Sequence, residues 1–203
     1  MKTNTILWDV DTQADFMLPG GKLYVPGAEG IIPNLERLTR WAAASRVLVV
    51  ASADAHQPDD PEFQQYPPHC VAGTPGQKKI PETLLTAEVV IPNRPVEVPP
   101  NLTEFDQVII EKQKFDVFTN PNIDAIMRQL GSPAQVFVYG VVTEICVACA
   151  VRGLLDRGFK PALVTDAIRA LDESQGRALI EEVEERGGRL VTTDQVVRRR
   201  AVA

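Results

Sequence analysis

The sequence predicts an α/β protein: a doubly wound, Rossmann-like, mostly parallel six-stranded sheet flanked by helices. Three observations predict it. Short β-branched apolar runs recur along the chain, each bounded by turn residues, as expected of strands buried on both faces. Stretches with helical spacing lie between those runs. Alternation of the two types selects a parallel sheet with crossover helices.

The elements follow in order. Ile6-Leu7-Trp8 leads into Asp9 and Asp11, and Ile31 to Ala44 has helical spacing. Val47-Leu48-Val49-Val50 leads to Asp54. From His56 to Pro100 the alternation breaks: this stretch holds ten of the sixteen prolines, and within it only Glu88 to Ile91 looks like a strand. A long irregular insertion in a compact domain is usually functional. Val108-Ile109-Ile110 then leads to Lys112, and Asn122 to Leu130 is helical. Val136-Phe137-Val138-Tyr139 ends at Gly140, followed by a helix over Glu144 to Arg157. Ala162-Leu163-Val164 ends at Thr165-Asp166. Asp172 to Arg186 carries an apolar stripe of Leu179, Ile180 and Val183. Leu190-Val191 closes the set before Thr192-Thr193-Asp194.

Residues 1–203 read as a single domain with the proline-rich insertion at about 56–100, and length alone favours one domain. Lys plus Arg is 21 against 27 Asp plus Glu, a net charge of −6, which disfavours a broad nucleic-acid footprint. The one arginine run, Arg198 to Arg200, reads as a solvated tail. No apolar run is long enough to span a bilayer. Asp9 and Asp11 interrupt the first apolar segment, unlike a signal peptide. Three irregularly spaced cysteines make no disulfide framework. The expectation is a cytoplasmic protein without nucleic-acid or membrane partners.

Ligands of open α/β sheets bind beyond the carboxyl ends of the strands. The residues there include Asp11, Asp54, Lys112 and Cys146. Each alone is an ordinary loop residue; their coincidence at one sheet edge points to chemistry. Cys146 opens a helix after the tight turn Gly140-Val141-Val142-Thr143-Glu144-Ile145. A helix N-terminus favours the thiolate, and its exposed N–H groups suit a developing oxyanion. Cys149 reads as a small buried hydrophobe.

Both histidines, His56 and His69, fall in the insertion. Asp54, two residues before His56, points the same way in an extended segment. With Glu62 they form a mixed nitrogen and oxygen set that suits Zn²⁺ or another divalent transition metal. Such irregular spacing equally suits two surface histidines in a loop. Asp59 and Asp60 read as a solvated turn, and Cys70 is awkwardly placed beside His69 to share one ion.

Longer motifs recur around these positions. They are Asp11-Thr12-Gln13-Ala14-Asp15-Phe16, Asp54-Ala55-His56, Tyr66-Pro67-Pro68-His69-Cys70, Glu111-Lys112-Gln113-Lys114-Phe115 and Gly140-Val141-Val142-Thr143-Glu144-Ile145-Cys146. In this order the chain resembles the cysteine hydrolase superfamily of nicotinamidases and isochorismatases, most strongly its metal-bearing nicotinamidase branch. The resemblance implies an isochorismatase-like hydrolase fold, with Asp11 as acid/base, Lys112 rather than Lys114 as the catalytic lysine and Cys146 as nucleophile. It implies a cis peptide at Val141-Val142, an oxyanion hole from the amides of Val142 and Cys146, and pocket walls at Phe16 and Tyr66. Glu62 stands where relatives often carry a third histidine, and Tyr66 where the aromatic wall is often Trp.

The implied activity is hydrolysis of nicotinamide to nicotinate and ammonia through a Cys146 thioester, a step in pyridine nucleotide salvage. The implied cofactor is one divalent metal on Asp54, His56, Glu62 and His69, zinc first, with iron or manganese as alternatives, and no organic cofactor. The expected partner is a small amide, with homo-oligomerisation left open. Two other readings stand: an amidase for a carbamoyl or ureido compound, and a non-catalytic binding protein, against which the intact Asp11, Lys112, Cys146 set argues.

Overall fold

The computed structural model describes residues 5–199. Seven strands form one sheet: β1 (Thr5–Val10), β2 (Leu48–Asp54), β3 (Glu88–Ile91), β4 (Gln107–Lys112), β5 (Gln135–Val141), β6 (Pro161–Arg169) and β7 (Arg189–Val191), in the order β3-β4-β2-β1-β5-β6-β7. All six pairings are parallel. The sequence expectation of six strands is corrected by β3. Its residues are mostly outward-facing, so it lacks the fully apolar character of a central strand. It still pairs with β4, placing Glu88 opposite Gln107.

The helices are α1 (Ala14–Met17), α2 (Ile32–Ser45), α3 (Ile123–Leu130), α4 (Ala148–Asp156), α5 (Glu173–Glu185) and α6 (Thr193–Val197). On one face of the sheet Ile126, Val151, Leu154, Leu179 and Val183 pack against Trp8, Val50 and Val138. On the other, Leu35, Leu38, Ala42 and Val196 pack against Leu7, Val49 and Phe137. Alternate residues of each strand thus bury on opposite layers, as the period of two requires. Truncating a residue such as Leu35, fully buried, is expected to cost about 2–5 kcal/mol.

Chain ends of the elements are set locally. Asp172 caps α5 by accepting from the amides of Ser174 and Gln175. Thr192 and Gln195 form a reciprocal capping box at α6. Gly140 is required in β5: its φ is +119°, and a Cβ there would lie 2.0 Å from the Val10 carbonyl oxygen. That close approach brings the end of β5 against the end of β1. Arg199 departs from a purely solvated tail, since its guanidinium stacks 5.3 Å from the Phe137 ring centre; Arg200 lies outside the described residues. No helix among the described residues is long and apolar enough to cross a membrane.

Candidate active site

The strand order reverses around β1, with β2 on one side and β5 on the other, and the polar residues gather at that crevice. Asp11 follows β1 directly, in the left-handed region at φ +51°. Its amide donates to the Ser52 carbonyl, and the Ser52 hydroxyl donates to Asp11 Oδ1 at 2.7 Å. Asp54 and Lys112 end β2 and β4 in direct register. Lys112 Nζ stands 2.9 Å from Asp11 Oδ2, donates a short hydrogen bond to Asp54 Oδ1, and lies 3.7 Å from Cys146 Sγ. Beyond β5 the Val141-Val142 peptide is cis, and Thr143–Val147 forms a single π-helical turn that carries Cys146 before α4 begins. Such turns are frequent at functional sites. Lys112 is thus brought into the cluster, whereas Lys114 is exposed.

All three groups are buried: Asp11 is 0% exposed, Lys112 1% and Cys146 7%. Burial pushes the Asp11 carboxyl up; Lys112 pulls it back and the Asp54 charge adds to the rise. Burial opposes the Lys112 charge, but Asp11 and Asp54 outweigh it and hold the ammonium well above the usual lysine range. Asp54 stays below the ordinary carboxylate range despite burial, because of Lys112 and then His56. The Cys146 thiol is pushed well up by burial, against Lys112 and with help from Asp11 and Asp54. This runs against the expectation that the helix start lowers the thiol pKa. A helix start lowers a thiol pKa only when solvent or cation compensation exceeds the desolvation, and here two carboxylates share the one cation.

Asp54, His56 and His69 bring ligand atoms within 4.8 Å of one another. His69 Nδ1 donates to the Pro67 carbonyl at 2.8 Å, so the neutral tautomer carries its lone pair on Nε2. His56 Nδ1 pairs with Asp60 Oδ2 at 3.0 Å, and its Nε2 is buried without a hydrogen-bond partner. That Nε2 lies 3.8 Å from Asp54 Oδ2, and His69 Nε2 lies 3.8 Å from Glu62 Oε1. Both gaps exceed a hydrogen bond, so imidazole and carboxylate donors face a common point without bonding each other. The donor set therefore fits a divalent transition metal, with Glu62 at its edge. Phe63 closes the set from one side, its ring 5.3 Å from His56 and 5.7 Å from His69. Phe16 packs at a tilt against His69, ring centres 5.5 Å apart.

Several supporting residues were not legible in the sequence. Asp60, read there as a solvated turn, instead orients His56 and accepts from the Glu62 amide. Gln13 ties the loops together: its Nε2 donates to the carbonyls of Asp54 and Gln77, and its Oε1 accepts from the Asp54 amide. Asp15 accepts from the amides of Lys22 and Cys70, fixing the residue after His69. A Cβ at Gly76 would strike that carboxylate at 2.2 Å, so the insertion passes there only as glycine. Lys79 forms a buried ion pair with Asp9 at 3.0 Å and donates to Thr12. The signal for Gln13 and Asp15 was their place in the Asp11 motif; nothing local marks Asp60 or Lys79. One pocket joins Asp11, Asp54, Glu62, His69, Val142 and Cys146, with Phe16 and Tyr66 among its walls.

A family model described as the isochorismatase domain matches residues 5–195. The chain belongs to the isochorismatase family. It is a hydrolase of that family by this match. A pyrazinamidase of Pyrococcus horikoshii, solved in complex with zinc, superposes with a TM-score of 0.75 at 29% identity over 93% of this chain and 99% of that one. N-carbamoylsarcosine amidase from Thermoplasma acidophilum superposes at 0.74 with 25% identity, over 96% and 98%. A nicotinamidase of Acinetobacter baylyi is 26% identical over 189 residues, 83% of each chain. A shorter match of 27% over 86 residues, to isochorismatase domain-containing protein 2 of Danio rerio, spans only 43% of that protein.

Proposed function

We propose that this isochorismatase-family hydrolase is a metal-dependent cysteine amidohydrolase that converts nicotinamide, or a close neutral carboxamide, to the carboxylate and ammonia. One observation carries the reading: Lys112 contacts both Asp11 and Asp54 and stands 3.7 Å from Cys146, joining an acid/base, a thiol and the metal donors.

The resting thiol is neutral, and Asp11 takes its proton as Cys146 Sγ attacks the carboxamide carbon. The amides of Val142 and Cys146 hold the oxyanion. Lys112 remains an ammonium and balances negative charge on Asp11 and sulfur. Asp11 then protonates the departing ammonia, leaving a thioester, and a water activated by Asp11 hydrolyses it. A divalent ion on Asp54, His56, His69 and Glu62, zinc in the first instance, would supply a Lewis-acid contact for a ring nitrogen or an ordered water. Phe16 and Tyr66 stack on the substrate ring.

An N-carbamoyl amino acid amidase is the second reading, supported by the Thermoplasma neighbour. Charge weighs against it. Asp11, Asp54 and Glu62 line the pocket, and among the described residues no arginine or lysine does. Lys112 is already engaged by two carboxylates, so only the metal, itself held by two carboxylates, is left to offset a substrate carboxylate. The three cysteines are unpaired, which suits a reducing, cytoplasmic setting. The test is ammonia release from nicotinamide and from N-carbamoylsarcosine, with Cys146→Ala as control. Release from the second alone would overturn the assignment.

A further inference from the structure

Five large apolar side chains are exposed among the described residues, and two of them, Phe115 at 41% and Leu171 at 54%, line the catalytic pocket. Single exposed leucines are ordinary; two at one mouth are not. Both are held in place. Phe115 follows β4 and packs edge-on against Tyr66, ring centres 6.2 Å apart. Leu171 lies between β6 and α5, and its amide donates to Glu144 Oε1 at 2.9 Å, as does that of Asp172 at 2.7 Å. Glu144 belongs to the same π-helical turn as Cys146. The turn that presents the nucleophile therefore also fixes the residue at the rim. The pocket floor holds the reacting groups, whereas its rim offers apolar carbon at Phe115 and Leu171, with Glu62 and Lys114 the charged residues bordering Phe115.

We propose that Phe115 and Leu171 form an outer apolar subsite continuous with the amide pocket, so that the preferred substrates are neutral aryl carboxamides bearing an apolar substituent on the ring edge away from the carboxamide. This rests on the amidase reading above. An unsubstituted ring that fills the inner pocket leaves both rim side chains in water; a short alkyl group covers them. The gain is about 4-fold in kcat/KM for each methylene removed from water in the transition state.

The experiment measures ammonia release from nicotinamide, 5-propylnicotinamide and 6-propylnicotinamide by the metal-loaded protein, and by its F115S/L171S variant. Both positions are exposed, so serine leaves the packed layers untouched. With two of the three propyl carbons covered by this half-open rim, one propyl isomer is expected to exceed nicotinamide by ~16-fold in kcat/KM, and the double variant to bring that ratio back towards one. A gain below ~3-fold for both isomers overturns the subsite. Persistence of the ratio in the double variant also overturns it, because the preference then arises elsewhere. A change in oligomeric mass of the double variant by light scattering, with the ratio intact, reassigns the rim to a contact between copies of the chain. Ammonia from nicotinamide without a propyl gain overturns this inference alone; ammonia from none of the three overturns the amidase reading with it.

Discussion

Asp54 and Lys112 stand opposite each other on β2 and β4, and the Lys112 ammonium donates to Asp54 Oδ1 while Asp54 Oδ2 faces His56 Nε2 across 3.8 Å. The same ammonium reaches Asp11 at 2.9 Å. One cation thus neutralises both Asp54, a carboxylate of the proposed metal donor set, and Asp11, the proposed acid/base. The sheet register fixes this arrangement, since a one-residue slip would turn Lys112 to the opposite face.

Lys112→Met is expected to lower turnover at least ~100-fold, the scale of a positioned acid/base system. It also leaves the buried Asp11 carboxylate without a cation and Asp54 with His56 alone, which destabilises by about 3–5 kcal/mol. Folding is therefore sensitive at this position, a cost that the placement of Lys112 in a site would not suggest. Uncompensated carboxylates have raised folded pKa values, so the deficit shrinks as pH falls and protons replace the missing cation. Urea midpoints at about pH 5 and about pH 8 check this. A variant as stable as the parent at the higher pH would contradict the buried triad.

Asp11→Asn should separate turnover from thiol reactivity. Turnover is expected to fall at least ~100-fold, because the thiol loses its proton acceptor. Burial and then the charges of Asp11 and Asp54 hold the Cys146 thiol up, so removing one carboxylate lowers its pKa and raises the thiolate fraction. Alkylation of Cys146 by iodoacetamide should therefore quicken in a variant that turns over more slowly. Peptide mapping checks the site. Cys70, whose thiol is also pushed up by burial, and Cys149 should remain unlabelled, and serine at either should keep most activity. Slower alkylation in Asp11→Asn would show that Asp11 already holds the thiol proton in the resting protein.

The sequence revealed what repeats and what sits at strand ends. Central strands are continuous apolar runs because both faces bury, and the residue after each run falls at the carboxyl edge by construction. Asp11, Asp54, Lys112 and Cys146 were legible for that reason. β3 was seen as a segment yet left out of the sheet, since its exposed edge weakens the pattern. The direction of the Cys146 shift was misread because a helix start shows in sequence while depth of burial does not. Asp60 escaped notice because its partner is chosen by how the proline-rich loop folds back, which no periodicity records.

Asp60→Asn tests the orientation of His56. The Asp60 carboxylate holds Nδ1 at 3.0 Å and so turns Nε2 towards Asp54 and His69. Carboxylates behind metal-bound imidazoles typically contribute 10–100-fold in affinity. Zinc titration of the variant should show a loss in about that range, with the thermal melt of the metal-free protein changed far less. Unaltered zinc affinity would return Asp60 to the role of a helix cap for Glu62.

Removing the metal should raise the Michaelis constant or lower turnover while Cys146 remains open to alkylation, because the thiol and Asp11 arise from other strands than the histidines. The pH dependence follows from His56. Burial lowers its pKa, but Asp54 and Asp60 outweigh burial and raise it from 6.5 to about 8 in the metal-free protein. A proton therefore occupies His56 below about pH 8, and a metal must displace it, so affinity should fall about tenfold per pH unit below that point and level off above it. The stability of the metal-free protein runs the other way. A raised folded pKa contributes fully below 6.5 and is lost as pH rises through about 8. Thermal melts with and without zinc across this window should therefore diverge as pH rises, the zinc-bound form gaining where the metal-free form weakens. Elemental analysis after supplementation with Zn²⁺, Mn²⁺ or Fe²⁺ at about pH 8 should return one ion per chain. Sub-stoichiometric metal under all three conditions would remove the metal from the proposal and leave Asp54 as a partner of Lys112 alone.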